Sequence, residues 1–252
     1  MTTREWDGRS YDRVSAPMAE MAAPVLDRLP LRGDETVVDA GCGSGRVTEA
    51  LLERLPNGRV IAVDGSAHML AAARERITDE RVSFVQSDLV QLDLAEQVDA
   101  VLSTATFHWI DDQAGLYRAL HGALKPGGRL IAQCGGQGNI ADLRGAVGEV
   151  IAADPDLRER LGDWTPWKFL APDETTAHLD AAGFAEHECW LQPWPVETPN
   201  GLEWLRTVNL GAHVERIGDA ALATRFLQAV YDRMGGDPLR IDYVRLNIDA
   251  TA

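Results

Sequence analysis

The chain has 252 residues, with 24 lysines and arginines against 39 aspartates and glutamates, so its formal net charge at pH 7 is −15. This acidic balance argues against a nucleic-acid partner, because binding to a phosphate backbone rests largely on basic patches. No apolar run is long enough to span a membrane, no signal-peptide pattern opens the chain, and three scattered cysteines form neither a zinc spacing nor a disulfide framework.

Apolar strand patterns and helical segments alternate along the first half of the chain. In chain order, the predicted elements are helix 15–29, strand 36–40, helix 46–55, strand 59–63, helix 67–77, strand 82–86, strand 98–102, helix 113–124 and strand 129–133. Pro24 is expected to break the first helix because proline lacks a backbone donor. The sequence Lys-Pro-Gly-Gly at 125–128 is expected to form a turn. The alternation predicts an α/β fold: a doubly wound parallel sheet with right-handed helical crossovers.

After Cys134 the alternation weakens. The predicted elements there are helix 140–153, helix 172–182, strand 184–191, helical stretches 202–210 and 220–234, and a final strand 240–248. We expect a single domain over 1–252, cytoplasmic and monomeric or homodimeric, that binds neither metal, membrane nor nucleic acid. Its core would be residues 30–135 with the final strands, and the insertions 140–170 and 200–236 would form a helical cap.

One motif carries most of the functional information. A short apolar strand ends in Asp39 and turns through Gly41, Gly43 and Gly45, and a second apolar strand ends in Asp64. Glycine lets the main chain approach a ligand closely, and the N-terminus of the following helix presents unpaired N–H groups. The second acid is placed to accept hydrogen bonds from a ribose. The motif therefore predicts a site for a nucleoside cofactor.

Two details separate the candidate cofactors. A dinucleotide fingerprint G-x-G-x-x-G would need glycine where the chain has Arg46, and the carboxylate of Asp39 would repel a pyrophosphate. S-adenosylmethionine fits better, because it carries an ammonium and a sulfonium and has no phosphate. Here the chain resembles the class I S-adenosylmethionine-dependent methyltransferases, whose first motif reads D-x-G-x-G-x-G. A nicotinamide-dependent Rossmann oxidoreductase and a non-catalytic cofactor-binding module of the same fold are the alternatives.

The resemblance covers residues 36–134 and implies a Rossmann-like sheet of seven strands whose last strand returns antiparallel. It implies that Asp64 holds the ribose hydroxyls, that Asp88 accepts a hydrogen bond from adenine, and that Met69 lies against the ring. The alternative roles are core packing for Met69, a solvated loop acid for Asp88 and a surface aromatic for Tyr11. The cofactor residues that the resemblance implies are Tyr11, Asp39, Gly41, Gly43, Gly45, Asp64, Gly65, Met69, Ser87, Asp88, Leu89 and Thr104.

Within this family the chain looks most like the trans-aconitate methyltransferase-like group of small-molecule carboxyl methyltransferases. The similarity lies in Thr-Ala-Thr-Phe-His-Trp-Ile at 104–110 and in Trp6. It implies a small-molecule methyl acceptor, with a carboxylate as one candidate. Trp6, Trp109, Trp164 and Trp167 are the candidate acceptor residues, although the last two could equally form the cap's own core. The sequence shows no matching set of arginines for a tricarboxylate.

His108 is the candidate catalytic residue, because it lies just beyond the position expected for the sulfonium. A hydroxyl, amine or carbon acid would need such a general base, whereas a carboxylate is already ionised at neutral pH. The alternative is a structural histidine between aromatic neighbours.

Overall fold

A sheet of seven strands forms the centre of the protein, whose computed structural model describes residues 16–252. The strands of the described chain are β1 Thr36–Ala40, β2 Arg59–Asp64, β3 Val82–Gln86, β4 Val98–Thr104, β5 Leu124–Gly135, β6 Glu186–Pro193, β7 Val196–Thr198, β8 Leu239–Ile241 and β9 Val244–Thr251. The order across the sheet is β3-β2-β1-β4-β5-β9-β6, with β1 to β5 parallel and β9 antiparallel to both its neighbours. The predicted doubly wound, mostly parallel sheet with an antiparallel last strand is confirmed.

Helices lie on both faces of this sheet. Those of the described chain are α1 Ala16–Arg28, α2 Arg46–Glu53, α3 Ala67–Arg76, α4 Gln113–Ala123, α5 Ala141–Ala153, α6 Pro155–Arg160, α7 Pro172–Ala182, α8 Gly201–Trp204, α9 Gly211–Ile217 and α10 Ala220–Arg233, with 3₁₀ turns Leu89–Gln91 and Phe107–Trp109 and a π-helix Leu205–Asn209. None of the helices between residues 16 and 252 combines the length and apolarity needed to cross a membrane.

The central strands are buried on both faces because they carry apolar side chains at successive positions. Val37 and Val38 of β1 point to opposite faces, and neither has exposed surface. Side chains of α1 and α2 cover one face, and those of α4 and α7 cover the other. The strand order reverses between β1 and β4, and a crevice forms at such a reversal, outside the carboxyl ends of the strands.

The predicted break at Pro24 does not occur, because α1 continues through it. A proline inside a helix costs about 3 kcal/mol. The same helix buries Val25, Leu26 and, just past its end, Leu29, each at most 5% exposed, and full burial of one such side chain contributes about 1.5–3 kcal/mol. Packing of α1 against the sheet therefore outweighs the lost donor.

Two strand boundaries also differ from the prediction. Residues 125–128, expected as a turn, lie within β5 as a bulge, where the register with β4 jumps from Val98–Leu124 to Ala100–Arg129. The predicted strand 240–248 is two strands, since β8 pairs with β7 and β9 enters the main sheet. Between β8 and β9, the carbonyl oxygens of Asp242 and Tyr243 accept hydrogen bonds from other segments. The pairing of β8 with β7 therefore ends before these two residues.

The two insertions proposed as a cap share one apolar cluster. Trp167 from the first insertion packs in it with Trp204, Leu205 and Phe226 from the second, and all four are buried. The cluster extends to Tyr243, just before β9. The insertions therefore bury apolar surface against each other beside the final strand.

Candidate functional site

A cavity of about 520 Å³ lies at the carboxyl ends of β1 to β4. The predicted site residues that line it are Gly41, Gly43, Asp64, Gly65, Met69, Ser87, Asp88, Leu89, Thr104 and Trp109. They come from four separate segments, and the parallel sheet brings them together because its strands end at one edge. The volume is typical of small-molecule sites.

The glycine turn after β1 forms the floor of the cavity. The N–H groups of Gly41 and Cys42 both donate to the Val63 carbonyl oxygen of β2, at 2.8 and 2.9 Å. Gly41 and Gly43 have φ angles of 82° and 54°, where residues with a Cβ are strained. A Cβ on Gly41 would lie 2.2 Å from the Thr106 hydroxyl oxygen, whereas nothing lies within 4 Å of one on Gly43. Position 41 therefore needs glycine for packing, and position 43 leaves bare backbone for a ligand.

Asp64 is held in place at the end of β2. Its Oδ2 accepts a hydrogen bond from the Gly43 N–H at 2.9 Å, and its Oδ1 accepts one from the Ser66 N–H at 2.8 Å. An ionised carboxylate accepts up to about four hydrogen bonds. The two amides thus fix the orientation of the carboxylate at the cavity wall.

Two further walls come from the segments after β2 and β3. The Ser66 hydroxyl caps α3 by accepting from the Met69 N–H, which places the buried Met69 side chain at the cavity. Asp88 caps the 3₁₀ turn Leu89–Gln91 by accepting from the Val90 N–H, so its carboxylate is also oriented. Leu89 is 5% exposed and lies at the same wall. Apolar faces and an acceptor therefore converge where a flat nitrogenous ring would fit.

Asp39 and Gly45, which the motif also predicted as cofactor residues, do not line the cavity. Asp39 is 1% exposed and accepts a hydrogen bond from the Thr48 hydroxyl at 2.6 Å. Burial raises the pKa of Asp39 to about 6; the bond from Thr48 opposes this rise, and the charge of Asp64 adds to it. Gly45 packs against α3 instead, since a Cβ there would lie 3.2 Å from that of Ala73.

The end of β4 has an unusual backbone. Ala105 has a φ angle of 58°, a left-handed conformation that costs a residue with a Cβ about 1–3 kcal/mol. Its N–H donates to the Gln133 carbonyl oxygen at 2.7 Å, and the Thr106 hydroxyl donates to the Thr104 carbonyl oxygen at 3.0 Å. These bonds hold Thr104, Ala105 and Thr106 at the cavity, and only Thr104 was predicted from the sequence as a site residue.

His108 faces away from this cavity, into a side chamber of about 40 Å³ that shares Ala105 and Trp109 with it. The side chamber is lined by Ala105, His108, Trp109, Asn139, Ile140, Trp167, Phe169, Val208, Asn209, Tyr243 and Arg245. The His108 Nδ1 accepts a hydrogen bond from the Gly135 N–H at 3.2 Å, so the neutral ring carries its proton on Nε2. Burial, and then the charge of Arg245, lower the pKa of His108 well below its ordinary value. A general-base role does not fit this arrangement, because the Nδ1 lone pair already accepts a bond and the lowered pKa makes the ring a weak base.

The predicted acceptor tryptophans separate into three positions. Trp109 lies between the main cavity and the side chamber, and Trp167 lines the side chamber alone. Trp164 lines neither; its ring packs against His213 at 5.4 Å and under the guanidinium of Arg216. Trp164 is therefore a packing residue of the cap. Trp6 and Tyr11 lie outside the described residues.

The residues at the cavity fit a nucleoside with a cationic end. The described residues that line it include no lysine or arginine, which a pyrophosphate would favour. They include four aspartates, which are Asp64, Asp88, Asp111 and Asp112. Gly43 leaves open space for close approach. Two parts of the site were not predicted from the sequence, because no local motif marks them. They are the outer wall, which includes Pro166 and Ala212, and the side-chamber residues Asn209, Tyr243 and Arg245.

Comparison with known proteins gives consistent findings. Residues 38–132 match a family described as a methyltransferase domain. The chain is 39% identical over 226 residues to the trans-aconitate 2-methyltransferase of Azoarcus sp., covering 85% of this chain and 83% of that one. It is 31% identical over 249 residues to the trans-aconitate 2-methyltransferase of Variovorax paradoxus, covering 96% and 94%.

Solved structures show the same fold. The chain is similar to Haemonchus contortus phosphoethanolamine N-methyltransferase 2 in complex with phosphomonomethylethanolamine and S-adenosylhomocysteine, with a TM-score of 0.64 and 19% identity, over 97% of this chain and 57% of that one. At this identity the likeness establishes the fold alone.

Proposed function

This chain belongs to the class I S-adenosylmethionine-dependent methyltransferases, in the trans-aconitate methyltransferase-like group, and on that premise we propose that it methylates a carboxylate oxygen of a small organic acid. S-adenosylmethionine is the cofactor, and methyl transfer is the reaction. The proposal concerns the acceptor and the residues that act on it.

The cofactor would lie in the main cavity. Asp64 would accept hydrogen bonds from the ribose hydroxyls, and Asp88 would accept one from the adenine amine, while Met69 and Leu89 cover the ring. The buried carboxylate of Asp39 would act through space rather than by contact. Its negative potential beneath the glycine turn favours the ammonium end of the cofactor.

The partners of the described titratable side chains just after β4 support the choice of a carboxylate. His108 accepts from the Gly135 N–H, Asp112 accepts from the Gly115 N–H, and Asp111 lies 3.5 Å from the Lys168 ammonium. Bound S-adenosylmethionine supplies a methyl group that its sulfonium makes electrophilic. The acceptor oxygen forms a bond to that methyl carbon while the carbon–sulfur bond breaks and its electron pair stays on sulfur. A carboxylate needs no proton removed, since its pKa lies near 4. Because His108 is neutral and carries its proton on Nε2, it suits a role that orients an acid.

The protein's contribution is then chiefly positioning. Aligning an acceptor oxygen with a methyl carbon can supply about 7–11 kcal/mol of the barrier. Trp109 lies where the two cavities meet and would exclude water on one side of the reacting atoms. The strained Ala105 fixes the backbone at the same place.

This function predicts a flat pH profile. Purified protein with methyl-labelled S-adenosylmethionine should methylate members of a panel of small organic acids, including trans-aconitate, the acid for which the relatives are named. The product should release methanol in alkali, as an ester does. The kcat should stay constant with rising pH above the acid's own pKa, because no histidine has to lose a proton.

His108→Gln is the control, since glutamine keeps a donor and an acceptor but does not titrate. The variant should keep kcat within about tenfold of the native value, because a general base contributes about a hundred- to ten-thousand-fold. A fall in kcat of about a hundredfold or more in His108→Gln would restore the general base. Methyl transfer to amines or alcohols, with none to acids, would refute the proposed acceptor.

A further inference from the structure

One wall of the main cavity is a short segment built around a single turn. Trp109 and Ile110 line the cavity, and they end and follow the 3₁₀ turn Phe107–Trp109. The Trp109 N–H donates to the Thr106 carbonyl oxygen at 2.9 Å. The Ile110 N–H donates to the Phe107 carbonyl oxygen at 3.1 Å. Because the hydrogen-bond geometry of a 3₁₀ turn is poor, contacts with other segments have to fix the position of Trp109.

Gln113, the first residue of α4, bonds to this segment on both sides of Trp109. Its Nε2 donates to the Phe107 carbonyl oxygen at 2.8 Å and to the Ile110 carbonyl oxygen at 2.7 Å. A primary amide has two N–H groups, so each carbonyl oxygen can accept one of them. Both partners accept and cannot donate, so the nitrogen of the amide faces them and the oxygen does not. The side chain therefore ties the start of the turn to the residue just after it.

Gln113 is buried and touches neither cavity. It is 7% exposed and is not among the described residues that line the main cavity or the side chamber. Burying an amide is unfavourable unless its hydrogen bonds are made, and an apolar side chain of similar length would fill the same space. The ring of Phe107 already packs against that of Tyr117 in α4, at 5.9 Å between centroids. The two bonds to the turn therefore account for a polar side chain at this position.

The other side of the turn meets the cap. The Lys168 N–H of the first insertion donates to the His108 carbonyl oxygen at 2.8 Å. The ring of Trp109 lies 6.4 Å from that of Trp167, between centroids. The turn is thus held between α4 and the cap, and Gln113 supplies the polar contacts on the α4 side.

We propose that Gln113 is a positioning residue for methyl transfer and that it acts through Trp109. Its two bonds hold the turn so that the indole closes the cavity beside the reacting atoms. Without them the turn shifts, and a displacement of about 1 Å can slow a reaction about a hundredfold. The walls assigned to the ribose and adenine contain Asp64, Met69 and Asp88 of other segments, so cofactor affinity is unaffected. The inference rests on the proposed function, which places Trp109 beside the acceptor.

Gln113→Met keeps the length of the side chain and removes both donors. With the acid that the native protein methylates fastest, kcat should fall about tenfold or more, and the dissociation constant of S-adenosylhomocysteine should change less than about twofold. Gln97→Met is the matched control. The Gln97 Nε2 also donates to a carbonyl oxygen of α4, that of Gly122 at 3.2 Å, but just before β4, at the opposite edge of the sheet. This control should keep the native kcat, and an unchanged kcat in Gln113→Met would overturn the proposal.

A double-mutant cycle distinguishes positioning from a general loss of structure. Trp109→Leu removes the ring through which Gln113 acts. In that background Gln113→Met should change kcat by less than about twofold, because the effects of coupled residues are not additive. An equal fall in both backgrounds would overturn the proposal. Gln113→Asn, whose amide is one carbon nearer the backbone and cannot make both bonds at the same length, replaces Gln113→Met in the cycle if that variant does not fold.

The fluorescence of Trp109 gives a readout that needs no acceptor. Its emission is the difference between the spectrum of a protein and that of its Trp109→Leu derivative, both with S-adenosylhomocysteine bound. Gln113→Met should shift this difference spectrum, because a displaced indole meets a different amount of water. An unchanged difference spectrum would overturn the proposal whatever the acceptor is. If the spectrum shifts but the native protein methylates no acid, the proposed function fails and the positioning of Trp109 stands.

Discussion

At the residue scale, the two acids of the motif have different roles. Asp64 lies at the cavity wall with its carboxylate oriented by two amides, whereas Asp39 is buried beneath the glycine turn. Both follow apolar strands in the sequence, so the same local pattern precedes an accessible carboxylate and a desolvated one. Burial by neighbouring segments makes the difference.

Asp39→Asn should change how stability depends on pH. The pKa of Asp39 is raised from 3.8 to about 6 by burial, so the folded state binds this proton more tightly than the unfolded state does. The stabilisation that Asp39 provides through this raised pKa is present below pH 4 and is lost as pH rises through 6. The loss lowers the free energy of unfolding by roughly 3 kcal/mol. In urea unfolding from pH 4 to 8, the native free energy of unfolding should fall relative to that of Asp39→Asn, and then level off.

Asp99→Asn provides a control of opposite sign. Burial would raise the pKa of Asp99, but the ion pair with Lys125 and the hydrogen bond from the Thr36 N–H outweigh it and lower the pKa. The stability that Asp99 contributes is therefore lost as pH falls. A difference between the native protein and Asp39→Asn that does not change with pH would contradict the assigned burial.

At the scale of elements, the glycines of the motif serve packing as well as ligand approach. Gly45 is the N-cap of α2, with a φ angle of 85°, and a Cβ on it would lie 3.2 Å from that of Ala73 in α3. The sequence predicted α2, its glycine turn and the Ser66 cap of α3 from local chemistry. It could not show that Gly45 faces a helix rather than a ligand, because that depends on how α3 packs.

Gly45→Ala should destabilise the protein by about 1–2 kcal/mol, since the new Cβ is strained by the left-handed backbone and crowds Ala73. Thermal and urea unfolding measure this change. Gly122→Ala, inside α4 with nothing within 4 Å of the new Cβ, should instead stabilise by about 0.4–1 kcal/mol. Equal effects of the two substitutions would argue against the helix contact.

At the scale of the whole molecule, the site forms between the sheet and the insertions. The sheet contributes the cofactor walls, and Pro166 and Ala212 of the insertions complete the cavity's outer side. A ligand bound there would contact segments from most of the fold, so it should stabilise the molecule as a unit.

S-adenosylhomocysteine at a hundred times its dissociation constant should raise the free energy of unfolding by about 2.7 kcal/mol, and NAD should leave it unchanged.

Asp64→Ala should weaken the binding of S-adenosylhomocysteine by roughly 1.5–3 kcal/mol, because hydrogen bonds to a charged group are lost. A scan of melting temperature against ligand concentration measures both. Unchanged affinity in Asp64→Ala would contradict the ribose contact.

The sequence by itself determined the strands β1 to β4, their parallel arrangement and the glycine motif between two acids, because local patterning and short crossovers decide these features. It also indicated S-adenosylmethionine, through Asp39 and the absence of a glycine at position 46. Only the tertiary structure decided that Asp39 is covered, that His108 is neutral, and that Arg245 meets it across 137 positions of chain. Burial and charge depend on segments far apart in sequence, and no local pattern encodes which of them will pack together.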